Sequence, residues 1–190
     1  MGQPPAGMSR YIALLRAINV GGHIVKMEDL RRHFADLGFA NVATFIASGN
    51  VIFDTPETDA AALERRIERH LRDALGYAVA TFLRTPAELA AVAQYRPFPD
   101  GDDIGEGALF VAFLPRPPAA EARHKVAALG TPTDSFQVHE RELYWLCRTR
   151  LSESRVSGAL LEKTLGLPAT MRNITTVRKL AAKYPSTGEG

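Results

Sequence analysis

Residues 37–76 read LGFANVATFIASGNVIFDTPETDAAALERRIERHLRDALG, and the reading of this stretch decides the fold. It opens on Leu37-Gly38, the stop of a helix whose apolar stripe is Met27, Leu30, Phe34 and Leu37. Two short apolar runs follow, Val42–Ile46 and Val51–Phe53, joined by the turn formers Ser48-Gly49-Asn50. Leu63, Ile67, Leu71 and Leu75 then recur at helical spacing until Gly76 stops the second helix.

The flanks complete a unit. Tyr11–Leu15 is a short apolar run between Arg10 and Arg16, as a buried strand would be. Ala78–Leu83 supplies a fourth strand. Thr85-Pro86-Ala87-Glu88 is a capping box with proline at the first helical position, opening a third helix to about Gln94. The order is βαββαβ plus a helix.

After the Pro- and Asp-rich stretch 96–107 the order restarts. Ala108–Leu114 reads as a strand, Ala119–Leu129 as a helix, Phe136–His139 and Leu143–Cys147 as a hairpin, and Val156–Leu165 as a helix. Ala169–Arg172 is a short strand, and Val177, Leu180, Ala181 and Tyr184 form the stripe of a last helix. Gly38 and Gly76 lie 38 positions apart, and Gly130 and Gly166 lie 36 apart, each after a leucine. Matched spacing within a matched element order marks a duplicated unit. The expectation is an α+β protein of two tandem ferredoxin-like halves, 9–95 and 108–184, each with an added helix. They are expected to pack as one compact protein around a 96–107 linker, with 1–8 and 185–190 disordered.

The halves differ in one connection. Tyr11 to Gly38 spans 27 positions, whereas Leu109 to Gly130 spans 21. The surplus lies in residues 16–26, and loops that exceed the minimum are where binding tends to sit. In a βαββαβ unit the first strand ends at the sheet edge where the hairpin turns. Arg16, Asn19, Gly21, Gly22 and Lys26 are therefore expected near Ser48, Gly49 and Asn50.

These segments also carry a family resemblance. Residues 11–22, YIALLRAINVGG, with Lys26-Met27, resemble the opening of domain-of-unknown-function family 1697, found mostly in bacteria. Residues 42–53, VATFIASGNVIF, resemble its second block, and residues 170–180, TMRNITTVRKL, its closing block. Members usually read Arg-Gly-Ile-Asn where this chain has Arg16-Ala17-Ile18-Asn19. The resemblance implies ferredoxin-like halves and no particular activity.

Each candidate has a plainer alternative. Gly21-Gly22 before a helix could cradle an anion, with Arg16 and Lys26 adding charge, or could merely let a long loop turn. Ser48 and Asn50 could meet a ligand or simply make a hairpin turn. Arg172 could be a second anion-binding arginine, while Asn173 reads as the cap of the last helix. The second helix carries Arg65, Arg66, Arg69 and Arg72, a tempting nucleic-acid face. Glu64 and Glu68 are interleaved as i,i+4 partners, which favours a solvated surface.

Composition narrows the remaining classes. With 23 basic and 21 acidic residues the net charge of +2 does not by itself define a nucleic-acid binder. The strands lack the exposed aromatics of RNA-recognition sheets. The single cysteine, Cys147, excludes an internal disulfide framework and points to a reducing, cytoplasmic setting; its apolar run suits a buried, inert thiol. No apolar run is long enough to span a bilayer, so no membrane partner is expected. The five histidines show no metal-ligand spacing with each other or with Cys147, and neither metal nor cofactor is expected. No acid–base pair or activated nucleophile stands out beyond His23 or Ser48, so catalysis stays open. The leading expectation is a small anionic or phosphorylated ligand at the 16–26 and 48–50 edge. A nucleic-acid module or an enzyme of unidentified chemistry is the alternative.

Overall fold

The computed structural model describes residues 2–19, 21–46, 49–98 and 107–187. Most of the 96–107 stretch therefore lies outside the described residues. The chain divides into two units, Met1–Ala90 with Leu180–Gly190, and Ala91–Lys179.

In the first unit β1 (Ser9–Leu15), α1 (Met27–Asp36), β2 (Ala40–Thr44), β3 (Asn50–Thr55), α2 (Ala60–Leu75) and β4 (Thr81–Arg84) follow one another. The strands form an antiparallel sheet of order β2-β3-β1-β4. Tyr11, Ala13 and Leu15 of β1 alternate onto one face, where they meet Leu30 and Phe34 of α1 and Leu63, Ile67 and Leu71 of α2. Burying a side chain such as Phe34 contributes roughly 1.5–3 kcal/mol. The intervening Ile12 and Leu14 are buried too, so β1 is apolar on both faces from Tyr11 to Leu15 rather than alternating with polar residues.

The second unit repeats the plan. β5 (Ala108–Phe113), α4 (Ala120–Ala127), β6 (Asp134–His139), β7 (Glu142–Cys147), α5 (Gly158–Leu165) and β8 (Thr170–Asn173) build a sheet of order β6-β7-β5-β8. Its core joins Leu114, Trp145 and Cys147 to Val126 of α4 and Leu161 and Leu165 of α5. Two added helices, α3 (Pro86–Gln94) and α6 (Ile174–Lys183), follow the respective β4 and β8.

The two hairpins show the duplication most directly. The amide of Leu15 donates to the Gly49 carbonyl at 2.9 Å, and that of Leu114 donates to Arg141 at 2.9 Å. Both sheets have the ferredoxin-like order, and the α+β plan of two similar halves stands.

Some element ends differ from the sequence reading. β2 stops at Thr44 rather than Ile46, because Ile46 takes φ 55 and leaves the extended region. β4 begins at Thr81, three residues later than its apolar pattern suggests. The capping box forms as read: Thr85 N donates to Glu88 Oε2 at 2.8 Å and Glu88 N to Thr85 Oγ1 at 3.2 Å.

Candidate functional site

β1 delivers the chain to the edge where the surplus loop begins. There Gly49, at φ 77, sits so close that an added Cβ would meet Ile18 Cγ2 and Leu15 Cβ, each at 3.1 Å. Only glycine fits both that dihedral and that space. The 16–26 loop and the hairpin turn therefore converge, although Ser48 lies outside the described residues.

The loop is pinned from within. Ile18 is buried, and its carbonyl accepts the Tyr77 hydroxyl at 2.6 Å. Asn19 Oδ1 accepts the amide of Val25 at 2.8 Å, closing the loop across its glycines. Gly21 and Gly22 both have positive φ, 59 and 81. The His23 ring lies 4.8 Å from that of Tyr77, and Ile24 is 82% exposed. Lys26 precedes α1 with its side chain exposed, but Glu28 and Asp29 occupy the first turn of that helix. Those carboxylates already complement the positive end of the helix dipole.

The other sequence-selected residues have defined surroundings. Asn50 is fully buried, and its Nδ2 donates to the Phe45 carbonyl at 3.0 Å, holding the hairpin loop shut. Arg172 is buried on β8, where Nη1 donates to Thr170 Oγ1 at 2.8 Å and to the Met171 carbonyl at 2.9 Å. Burial pushes its guanidinium down to about 10. Asn173 Oδ1 accepts the Thr175 amide at 2.9 Å, as a helix cap does. Cys147 is a buried free thiol 3.3 Å from the Thr149 carbonyl.

The helix α2 holds what the sequence undervalued. Glu68 Oε1 accepts the amide of Thr81 and Glu64 Oε1 that of Leu83, both at 2.9 Å. These glutamates cover the outer amides of the edge strand β4 instead of serving only as helical partners for arginine. Arg65, Arg69 and Arg72, all exposed, line a groove of about 370 Å³ with Glu68, Ala78, Val79 and Ala80. The groove adjoins the loop, because the amide of Arg16 donates to the Ala80 carbonyl at 2.9 Å. The i,i+4 spacing of Arg65 and Arg69 was visible in the sequence. The cavity beneath them depends on where β4 begins.

A family model described as a protein of unknown function (DUF1697) matches residues 8–144. The chain belongs to the DUF1697 family. The matched span contains the loop, the turn and the arginine groove; the closing block at 170–180 lies beyond it. No curated protein matches the chain. A conserved bacterial protein from Streptococcus pneumoniae, of solved structure, is 23% identical, with a TM-score of 0.69 over 92% of this chain and 98% of its own. That likeness establishes a shared fold.

Backbone strain gathers at the same edge. Ala17, where DUF1697 sequences usually carry glycine, takes φ 52, and the β-branched Ile46 takes φ 55. With Gly21, Gly22 and Gly49, which adopt such dihedrals without strain, they make five positive-φ residues in the 16–26 loop and the hairpin turn. In the corresponding connections of the second unit, 114–119 and 140–141, Glu140, φ 52, is the single such residue. Such strain persists where the surroundings over-determine it, and it gathers at binding sites. Among the described residues no helix is long and apolar enough to cross a membrane.

Proposed function

We propose that this DUF1697 chain binds a small anionic or phosphorylated ligand where the 16–26 loop meets the α2 arginines. One observation supports it above the rest: Arg16 is tied to Ala80, which lines the groove of Arg65, Arg69 and Arg72. Arginine presents a planar fork of donors that matches phosphate oxygens in pairs. Three such side chains line the groove, with Arg16 joined to its rim through the backbone, and together they suit a compact anion. In this reading Lys26 adds charge from the loop, and Gly21 and Gly22 allow close approach. Asn19 and Asn50 act by positioning, through Val25 and Phe45. Charge from arginine replaces the helix-dipole contribution, since α1 begins with its own carboxylates. Arg172, buried on β8, is given no part. The buried thiol and the lack of any disulfide suit a reducing, cytoplasmic setting.

The test is a thermal-shift titration with pyrophosphate, nucleotides, sugar phosphates and a short RNA. It compares wild type, Arg16→Ala and Arg69→Ala. A ligand at about a hundred times its Kd raises the midpoint of a domain this size by roughly 5–10 °C. That shift is expected with a small phosphate compound and is expected to be lost in both variants. If RNA alone gives a shift, and it falls steeply with salt, the site is a nucleic-acid surface instead. A flat response to every anion overturns the reading.

A further inference from the structure

Away from the arginine groove, the last turn of α1 and the middle of α2 bring His33, Asp36 and His70 together. One ligand atom from each lies within 4.8 Å of the others. His33 and Asp36 are three residues apart and so share one face of α1. His70 comes from the next helix, with its ring centroid 5.4 Å from that of His33. The distinguishing observation concerns His70. Its Nε2 is shut off from solvent and has no hydrogen-bond partner among the described residues. Nearly all buried polar atoms are satisfied, so an orphan on a member of a cluster of potential ligands calls for an explanation.

We propose that His33, Asp36 and His70 form a binding site for a first-row divalent transition ion, with Zn²⁺ the best fit. Two imidazoles and one carboxylate suit zinc, cobalt or nickel, whereas magnesium and calcium take oxygen ligands. Tetrahedral zinc with ligands at about 2.0–2.1 Å sets them about 3.3 Å apart. The observed ceiling therefore requires closure by at most about 1.5 Å. Asp36 is exposed and His33 partly so, which leaves them room to rotate while His70 stays. A metal there satisfies Nε2, clasps α1 to α2 and keeps a fourth position for water or substrate. Histidine spacing alone does not suggest this site, because the ligands come from two helices and one is a carboxylate.

The test uses the full, tag-free chain treated with chelator and then titrated with Zn²⁺ and, separately, Co²⁺. Wild type is expected to gain roughly 5–10 °C in midpoint at a hundredfold excess of Zn²⁺ over its Kd. Co²⁺ is expected to give the visible absorption of a bound, low-coordinate ion. His33→Gln, Asp36→Asn and His70→Gln should each weaken binding at least about tenfold. His124→Gln, on an exposed face of α4, should not. His33 and Asp36 are accessible enough that their variants keep the fold, which metal-free circular dichroism checks. The absence of both responses in wild type overturns the proposal. So does binding that survives His33→Gln and Asp36→Asn unchanged. Neither outcome touches the anion reading, whose residues are separate.

Discussion

Ala17 illustrates how much a single residue can reveal at this edge. An L-residue in the left-handed region carries roughly 1–2 kcal/mol of steric cost, and Ala17 sits there at φ 52. Glycine would relieve that strain but add about 0.4–1 kcal/mol of unfolded-state entropy. Ala17→Gly is therefore expected to stabilise the chain by about 0.5–1 kcal/mol in urea denaturation. A loss of stability would show that the loop backbone is not strained at this position. The family's usual glycine made the position conspicuous in the sequence, but its dihedral was not legible. Asn50 shows the reverse. Its turn-forming character was plain, yet its side chain is buried against its own hairpin loop. Nothing local distinguishes an amide that faces a ligand from one that faces a carbonyl five residues away.

Elements were legible where their periodicity is local. The stripes of α1 and α2, the hairpins and the Thr85–Glu88 capping box all follow from spacings within a few residues. Connections between elements were not. Asp134, at the start of β6, was unremarked in the sequence, yet it anchors the second unit. It accepts Trp145 Nε1 from β7 at 2.8 Å, Ser154 Oγ at 3.0 Å and Thr131 Oγ1 at 2.9 Å. Desolvation alone would raise its pKa. The hydrogen bonds from Trp145, Thr131, Ser154 and Thr133 outweigh that and hold it below the usual aspartate value. A depressed native pKa contributes stability that is present above the unfolded value and is lost as pH falls through the native one. Asp134→Asn should cost about 1–3 kcal/mol near neutrality. The gap to wild type should narrow by about pH 3. Denaturant melts at the two pH values decide it; a gap that does not change with pH would mean the carboxylate charge is irrelevant.

At the scale of the whole molecule, the duplication shapes the argument. Two sheets of one order, each with a strand-end amide donating to its hairpin turn, show that one plan was used twice. The surplus loop and the longer β2–β3 turn belong to the first unit alone. The units do not follow the sequence halves strictly, because the first includes the chain from Leu180 onward. There Tyr184 is buried and meets Phe45 edge-on, with ring centroids 6.4 Å apart. Tyr184→Ala should cost the first unit about 3–5 kcal/mol by analogy with other buried aromatics. Hydrogen exchange should then quicken in β1 and β3, and unchanged protection there would refute the assignment. Composition, periodicity and turn chemistry by themselves determined the element order, the repeat and the place of the surplus loop, because those signals are local in the chain. The tertiary structure alone decided that Arg69 lines a groove, that Glu68 covers a strand edge and that His33 meets His70. Each depends on side chains from separate elements, whose meeting is set by packing and not by any spacing along the sequence.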